Sequence, residues 1–196
     1  MGHSRPPGRG NGQGRDLSIT VFHIDKSPCT FAQGSQMEPR ANIHDVSDYI
    51  TMSLTEAGEQ LSLLKLQKLV YYVQAWHLAF FRVPLFAGKF QAWVHGPVNR
   101  ELYDRYRNTK SLYSNITKAD IRDPYVQSLD AGARGHIDSV LEVYGKYTGT
   151  QLEELTHRED PWIQARQWLP AAMPSTAEIS EHVMRDYYAA RLASNS

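Results

Sequence analysis

The densest apolar pattern in the chain begins at Leu61 and runs to Phe81. Leu66, Leu69, Val70, Val73, Trp76 and Phe80 recur at i, i+3, i+4, i+7, i+10 and i+14, one continuous face of an α-helix. Leu64, Tyr72, Ala75, Ala79 and Phe81 widen that face almost all the way round, and a helix so apolar belongs in the middle of a bundle. Ser62 offers a capping hydroxyl at its start. Val83-Pro84 ends it, because the residue before a proline is pushed out of the helical region. The pattern therefore predicts a buried helix over 63–82. Ile43, Val46, Ile50, Leu54 and Ala57 space as the face of an earlier helix over 44–57, opened by Asn42 with Asp45 three residues on and stopped by Gly58.

Beyond the turn Pro84–Gly88, the run Phe90–Val94 alternates as a short strand does, and His95-Gly96-Pro97 breaks it. Pro97 suits the first position of a helix over 98–107, where no N–H is needed, with Val98, Leu102, Tyr103 and Tyr106 as its apolar stripe. Residues 108–123 read as a polar connection with a short helical turn. Ile137, Val140, Leu141 and Tyr144 mark a helix from about 128 to 147. Thr150 and Glu153 have the spacing of a capping box, ahead of Leu152 and Leu155. Asp160-Pro161 restarts the chain into a short helix with Trp162, Ala165, Trp168 and Leu169. Ser175 to Glu178 is a second capping box, leading to a last helix with Ile179, Val183, Tyr187 and Ala190. The expected fold class is mainly α: a compact helical domain around a central buried helix, with a short β element near 90–94.

Composition narrows the functional classes. Hydrophobic residues make up 41% of 196, enough for one core, and 21 basic residues balance 21 acidic ones. Such balance supplies no general attraction to nucleic acid or to a membrane surface. No apolar run reaches the roughly 18 residues that span a bilayer. Residues 1–36 differ from the rest: Met1 to Arg15 is rich in Gly, Pro, Ser, Gln, Asn and Arg without apolar period, which predicts a flexible N-terminal extension ahead of a domain over 37–196. Ile19–Ile24 is its one strand-like run. The single Cys29 excludes an internal disulfide and a multi-cysteine zinc site. The N-terminus lacks the apolar core of a signal peptide, so a cytoplasmic location is expected.

The eight histidines have no metal-ligand spacing. His77 falls on the apolar face of the central helix, where a hydrogen-bonded core histidine is expected. His95 sits at a turn before a helix, as suited to facing a ligand as to shaping the turn. Thr156, His157 and Glu159 form the densest polar cluster, but neighbouring helical positions point in different directions. A polar corner anchored by Trp162 is therefore favoured over a hydroxyl–imidazole–carboxylate triad. Lys65 and Lys68, and the stripe Gln67, Tyr71 and Gln74, place polar groups on a helix otherwise apolar. They bond across the bundle or line a recognition groove. No catalytic residue, cofactor or metal is expected. The competing enzyme reading, a hydrolase, requires His95 and His157 to converge with Glu159 or Lys65.

Lys65-Leu66-Gln67-Lys68-Leu69, Tyr71-Tyr72, Gln74-Ala75-Trp76-His77, Pro84-Leu85-Phe86, Ala92-Trp93, Gly96-Pro97-Val98 and Leu102-Tyr103, followed by Leu155-Thr156-His157, Glu159 and Pro161-Trp162, resemble the Panacea domain family, also called SocA-like or phage-associated GepA-like. The resemblance covers about residues 42–190. It implies an antitoxin of a bacterial or phage type II toxin–antitoxin system, active through direct binding of a cognate protein toxin, with alarmone-synthetase-like enzymes among the toxins known for the family. One branch instead delivers its toxin to the ClpXP protease. The resemblance carries no catalytic residue. A direct-binding antitoxin needs exposed aromatic and arginine anchors, and Trp93, His95, Arg100, Tyr103 and Arg107 are the candidate partner-binding residues.

Overall fold

The computed structural model describes residues 41–122, 129–167 and 169–193. The expectations for 1–36 and its strand-like run, for the start of a helix at 128 and for Trp168 lie outside these residues. The described chain is mainly helical, with one small antiparallel hairpin. Helix α1 is Ile43–Glu56 and α2 is Leu63–Phe81; strands β1 (Phe90–Trp93) and β2 (Gly96–Asn99) follow, then α3 (Arg100–Tyr106). After a 3-10 turn at Lys118–Asp120 come α4 (Ala131–Tyr144), α5 (Gly149–Thr156), α6 (Asp160–Ala165) and α7 (Glu181–Ala193).

Helix α2 is the axis of the domain. Every residue from Leu63 to Ala79 is buried, and α1, α4, α5, α7 and β2 all pack on it. Its first-turn amides do not go unpaired: Ser62 accepts from Lys65 N–H, while Leu63 and Leu64 donate to the carbonyls of Ser114 and Leu112. The helix stops at Phe81 because Arg82 turns left-handed at φ 63° and donates back to Leu78. Asn42 caps α1 as its sequence context suggests, accepting from His44 N–H.

An aromatic layer fixes the C-terminal helices to this axis. Tyr72 stacks on Tyr144 with ring centroids 4.0 Å apart, Trp76 donates its indole N–H to the Tyr144 hydroxyl at 3.1 Å, and Tyr188 meets Trp76 edge-on. Glu159, at the start of α6, turns its carboxyl in among them and accepts from the hydroxyls of Tyr188 at 2.6 Å and Tyr72 at 3.3 Å. Burial pushes its carboxyl up to about 7, against the pull of those hydroxyls and of Arg191.

Several local expectations are corrected. Pro97 and Val98 do not begin a helix; they lie in β2, paired with Ala92 and Gln91. Gly96 takes φ +86°, open to glycine at little cost, so the chain folds straight back after Val94-His95. Helix α3 starts only at Arg100, where Asn99 caps the Leu102 N–H. The capping box before α5 is Thr148 with Gln151 rather than Thr150 with Glu153, the same chemistry slightly earlier in the chain. The last helix begins at Glu181: Ser175 accepts only from Ala177, and Ile179 donates to the Phe90 carbonyl, which draws 177–179 out along β1 instead of into a helix. Helix α4 runs from 131 to 144 and stops short of the expected end at 147, because Asp130 caps it and Gly145 closes it.

Candidate functional site

The hairpin and the turn that leads into it owe their position to three polar side chains of α2. Gln67 accepts from the Asn99 N–H at 2.9 Å and donates to the Asn99 carbonyl at 3.3 Å. Lys68 donates to the Pro97 carbonyl at 3.0 Å. Gln74 accepts from Leu85 N–H at 3.0 Å and donates to the Phe86 carbonyl at 2.9 Å. All three are buried, and each side chain takes main-chain groups of the 85–99 segment that no further strand pairs. Gln67, Lys68 and Gln74 thus bond across the core and do not line an open groove, whereas Lys65 reaches the Gln60 carbonyl and the Tyr71 hydroxyl is buried without a hydrogen-bond partner. At Gly96 the approach is so close that a Cβ would lie 2.7 Å from both Lys68 Cε and Thr156 Oγ1.

Against this brace the outward side chains gather. Trp93 and Tyr103 meet edge-on with centroids 4.9 Å apart, and the Arg100 guanidinium lies 5.9 Å from the Tyr103 ring. Arg100 and Arg107 are exposed and share Asp104, at 3.0 and 3.4 Å. Trp93 and Tyr103 are half-buried, so their rings are packed and still partly presented to solvent. His95 stands at the tip of the turn, its side chain 41% exposed, with Nδ1 3.1 Å from Glu153 and its ring 6.1 Å from Tyr113. Tyr113 is 64% exposed and joins this surface from the connection after α3. Four of the five candidates, Trp93, Arg100, Tyr103 and Arg107, thus form one strip, with His95 at its hairpin end.

Beneath the turn lies a polar layer. Lys68 is enclosed, and desolvation brings its ammonium down to about 7 against the attraction of Glu153. His157 stacks on Trp162 with centroids 4.2 Å apart and hydrogen-bonds the Val94 backbone; burial lowers its pKa. His95 and His157 therefore flank the same turn but serve different partners. Glu159 is directed to the tyrosines, and Lys65 donates to the Gln60 carbonyl, 3.9 Å from Glu59. The convergence that a hydrolase reading requires is not what these contacts build. His77 is a core histidine, its Nδ1 2.8 Å from the Val83 carbonyl.

One functional-looking residue was not singled out from the sequence. Arg166 is 1% exposed, stacks on Trp162 at 4.6 Å and donates to the Ala92 carbonyl at 2.8 Å. Its spacing of four from Trp162 on one helical face was the available signal.

Fold and surface together define a small helical scaffold that presents a braced hairpin and a short helix. The chain belongs to the family of SocA-like antitoxins, the Panacea domain, whose model matches residues 66–163, the stretch from α2 to α6 that holds the brace, the strip and the His157–Trp162 corner. No curated protein and no solved structure matches it. A family of antitoxins implies a toxin as partner. Among the described residues, no helix is long and apolar enough to cross a membrane.

Proposed function

We propose that this protein, with 37–196 as its working domain, neutralises the toxin encoded beside it by binding it directly, as a type II antitoxin. The observation that carries the reading is membership of the antitoxin family across the hairpin and its supporting helices. The strip of Trp93, His95, Arg100, Tyr103 and Arg107 is the recognition surface. Aromatic rings held at half exposure lose little freedom on binding, and arginines supply charged hydrogen bonds; such residues dominate interface energies. The buried glutamines and Lys68 hold the hairpin in advance, which lowers the ordering cost of association.

The test is co-expression with the neighbouring gene. The expected result is rescue of growth and a complex that co-purifies. Arg100→Glu with Arg107→Glu is expected to weaken that complex by at least about 30-fold, the scale of one hot-spot contact, with the melting temperature unchanged. A neighbour that is harmless alone, or rescue with no physical complex, overturns direct neutralisation. Rescue that vanishes without ClpXP while binding persists makes the protein a protease adaptor instead.

A further inference from the structure

The outer edge of β1 is covered by a segment that is itself scarcely buried. Ala92 N–H donates to the Ala177 carbonyl at 2.8 Å, and Ile179 N–H donates to the Phe90 carbonyl at 2.8 Å, with Gln91 and Glu178 opposite each other between these bonds. Ile179 is buried, but Pro170–Pro174 and Thr176–Glu178 are exposed, and two of these positions are prolines with no N–H to give. This strap does what a third strand would do while contributing almost no apolar surface to the core.

Arg166 sits under the strap. Its Nη1 donates to the Ala92 carbonyl of β1, and its Nη2 donates to the carbonyls of Pro170 at 2.9 Å, Ala171 at 3.2 Å and Met173. No carboxylate pairs with it among the described residues, and its Nε is buried without a partner. A cation removed from water normally has a counter-charge. Here the Trp162 ring and four neutral carbonyl dipoles face it in place of an anion, and three of those carbonyls come from the exposed strap.

We infer that the strap lifts and that an extended acidic segment of the toxin takes its place on the edge of β1, with a carboxylate on Arg166. This rests on the antitoxin reading above and adds to it the mode of recognition. A strand added at that edge takes the Phe90 carbonyl and Ala92 N–H, the groups the strap now occupies. Its carboxylate gives Arg166 the anion that the closed form lacks, in bidentate geometry if Nε takes part. The added strand also runs beside Gln91 and Trp93, the outward-facing positions of β1, so that it continues into the strip through Tyr103 and Arg100.

A disulfide that pins the strap tests this. Gln91 and Glu178 form a non-hydrogen-bonded antiparallel pair, the closer of the two kinds of cross-strand pair. The variant Gln91→Cys/Glu178→Cys, made with Cys29→Ser, is expected to bind the purified toxin normally when reduced. When oxidised, it is expected to bind at least about 30-fold more weakly, with recovery on adding reductant. Equal affinity in the two states overturns the proposal. If neither the wild type nor the reduced variant binds the neighbouring toxin, the antitoxin reading itself falls. The strap is judged separately by hydrogen exchange of the free wild-type protein: the amides of Ala92 and Ile179 should exchange at least about a hundredfold faster than those of Tyr72 and Val73. Protection equal to that of α2 means that the strap does not lift, and overturns the docking edge whatever the toxin does.

Discussion

Replacing Glu159 by Gln removes a charge that the fold keeps under tension. The carboxyl lies enclosed between α2 and α7, with Tyr72 and Tyr188 donating to it, and its pKa is raised from an ordinary value near 4.5 to about 7. The folded state therefore holds the proton more tightly than the unfolded chain. The stability linked to this group is fully present below pH 4.5 and is lost as pH rises through 7. At 1.36 kcal/mol per unit, the whole loss is about 3 kcal/mol. The amide introduced by Glu159→Gln keeps an oxygen for the Tyr188 hydroxyl, and its new N–H₂ can donate to the Tyr72 oxygen, so the packing survives. Urea unfolding followed by circular dichroism at pH 5, 6, 7 and 8 measures the difference between the two proteins. Subtraction cancels the histidines, among them His44, His136 and His157, whose lowered values act with the opposite sign. The variant should gain on the wild type by about 2–3 kcal/mol between pH 5 and 8. A difference that does not change with pH refutes the assignment, because Glu159 would then titrate alike folded and unfolded.

Lys68→Met should flatten a rise in stability on the order of 4 kcal/mol between pH 7 and 10. The enclosed ammonium is lowered from 10.5 to about 7, so the unfolded chain alone holds its proton in that window; an unaltered slope in the same unfolding series contradicts this. Trp76→Ala should cost about 3–5 kcal/mol through lost burial and a cavity, since the ring is 1% exposed and donates to Tyr144; a loss under about 1 kcal/mol by chemical unfolding contradicts its central place. The double charge reversal at Arg100 and Arg107 should leave that unfolding curve unchanged while weakening the toxin complex.

The axis of the fold was legible because it is local. The period of Leu66, Leu69, Val70, Val73, Trp76 and Phe80 marks α2, and Asn42 and Ser62 declare the starts of the first two helices. Phe80 is only partly buried, being next to the exposed end at Phe81. Apart from the local shifts in the caps of α4 and α5, what failed was decided by contacts far apart in sequence. Pro97-Val98 looks like a helix start until Lys68 and Gln67, about 30 positions earlier, claim the backbone of β2. Ser175–Glu178 has the letters of a capping box, but β1 takes that stretch as an edge partner. The strip could be sketched from residue type alone, since aromatic and arginine residues cluster over 93–107. The structure adds Tyr113, which only the folding of the 108–117 connection brings near His95. For Arg166 the sequence offers only its spacing of four from Trp162, because its hydrogen-bond partners are carbonyls, which carry no side-chain signature.

The brace on the hairpin has a consequence for how such a protein can change over generations. Gln67, Lys68 and Gln74 hold carbonyls and amides, groups present whatever side chains the 85–99 segment carries. Outward positions such as Gln91, Trp93 and His95 are then free to be exchanged without loosening the loop that displays them, whereas Gly96 is held by the Lys68 chain pressed against it. With the proposed strip as the recognition surface, one fixed frame with replaceable faces lets a lineage trade one partner for another in a few substitutions, with the cost of folding left untouched.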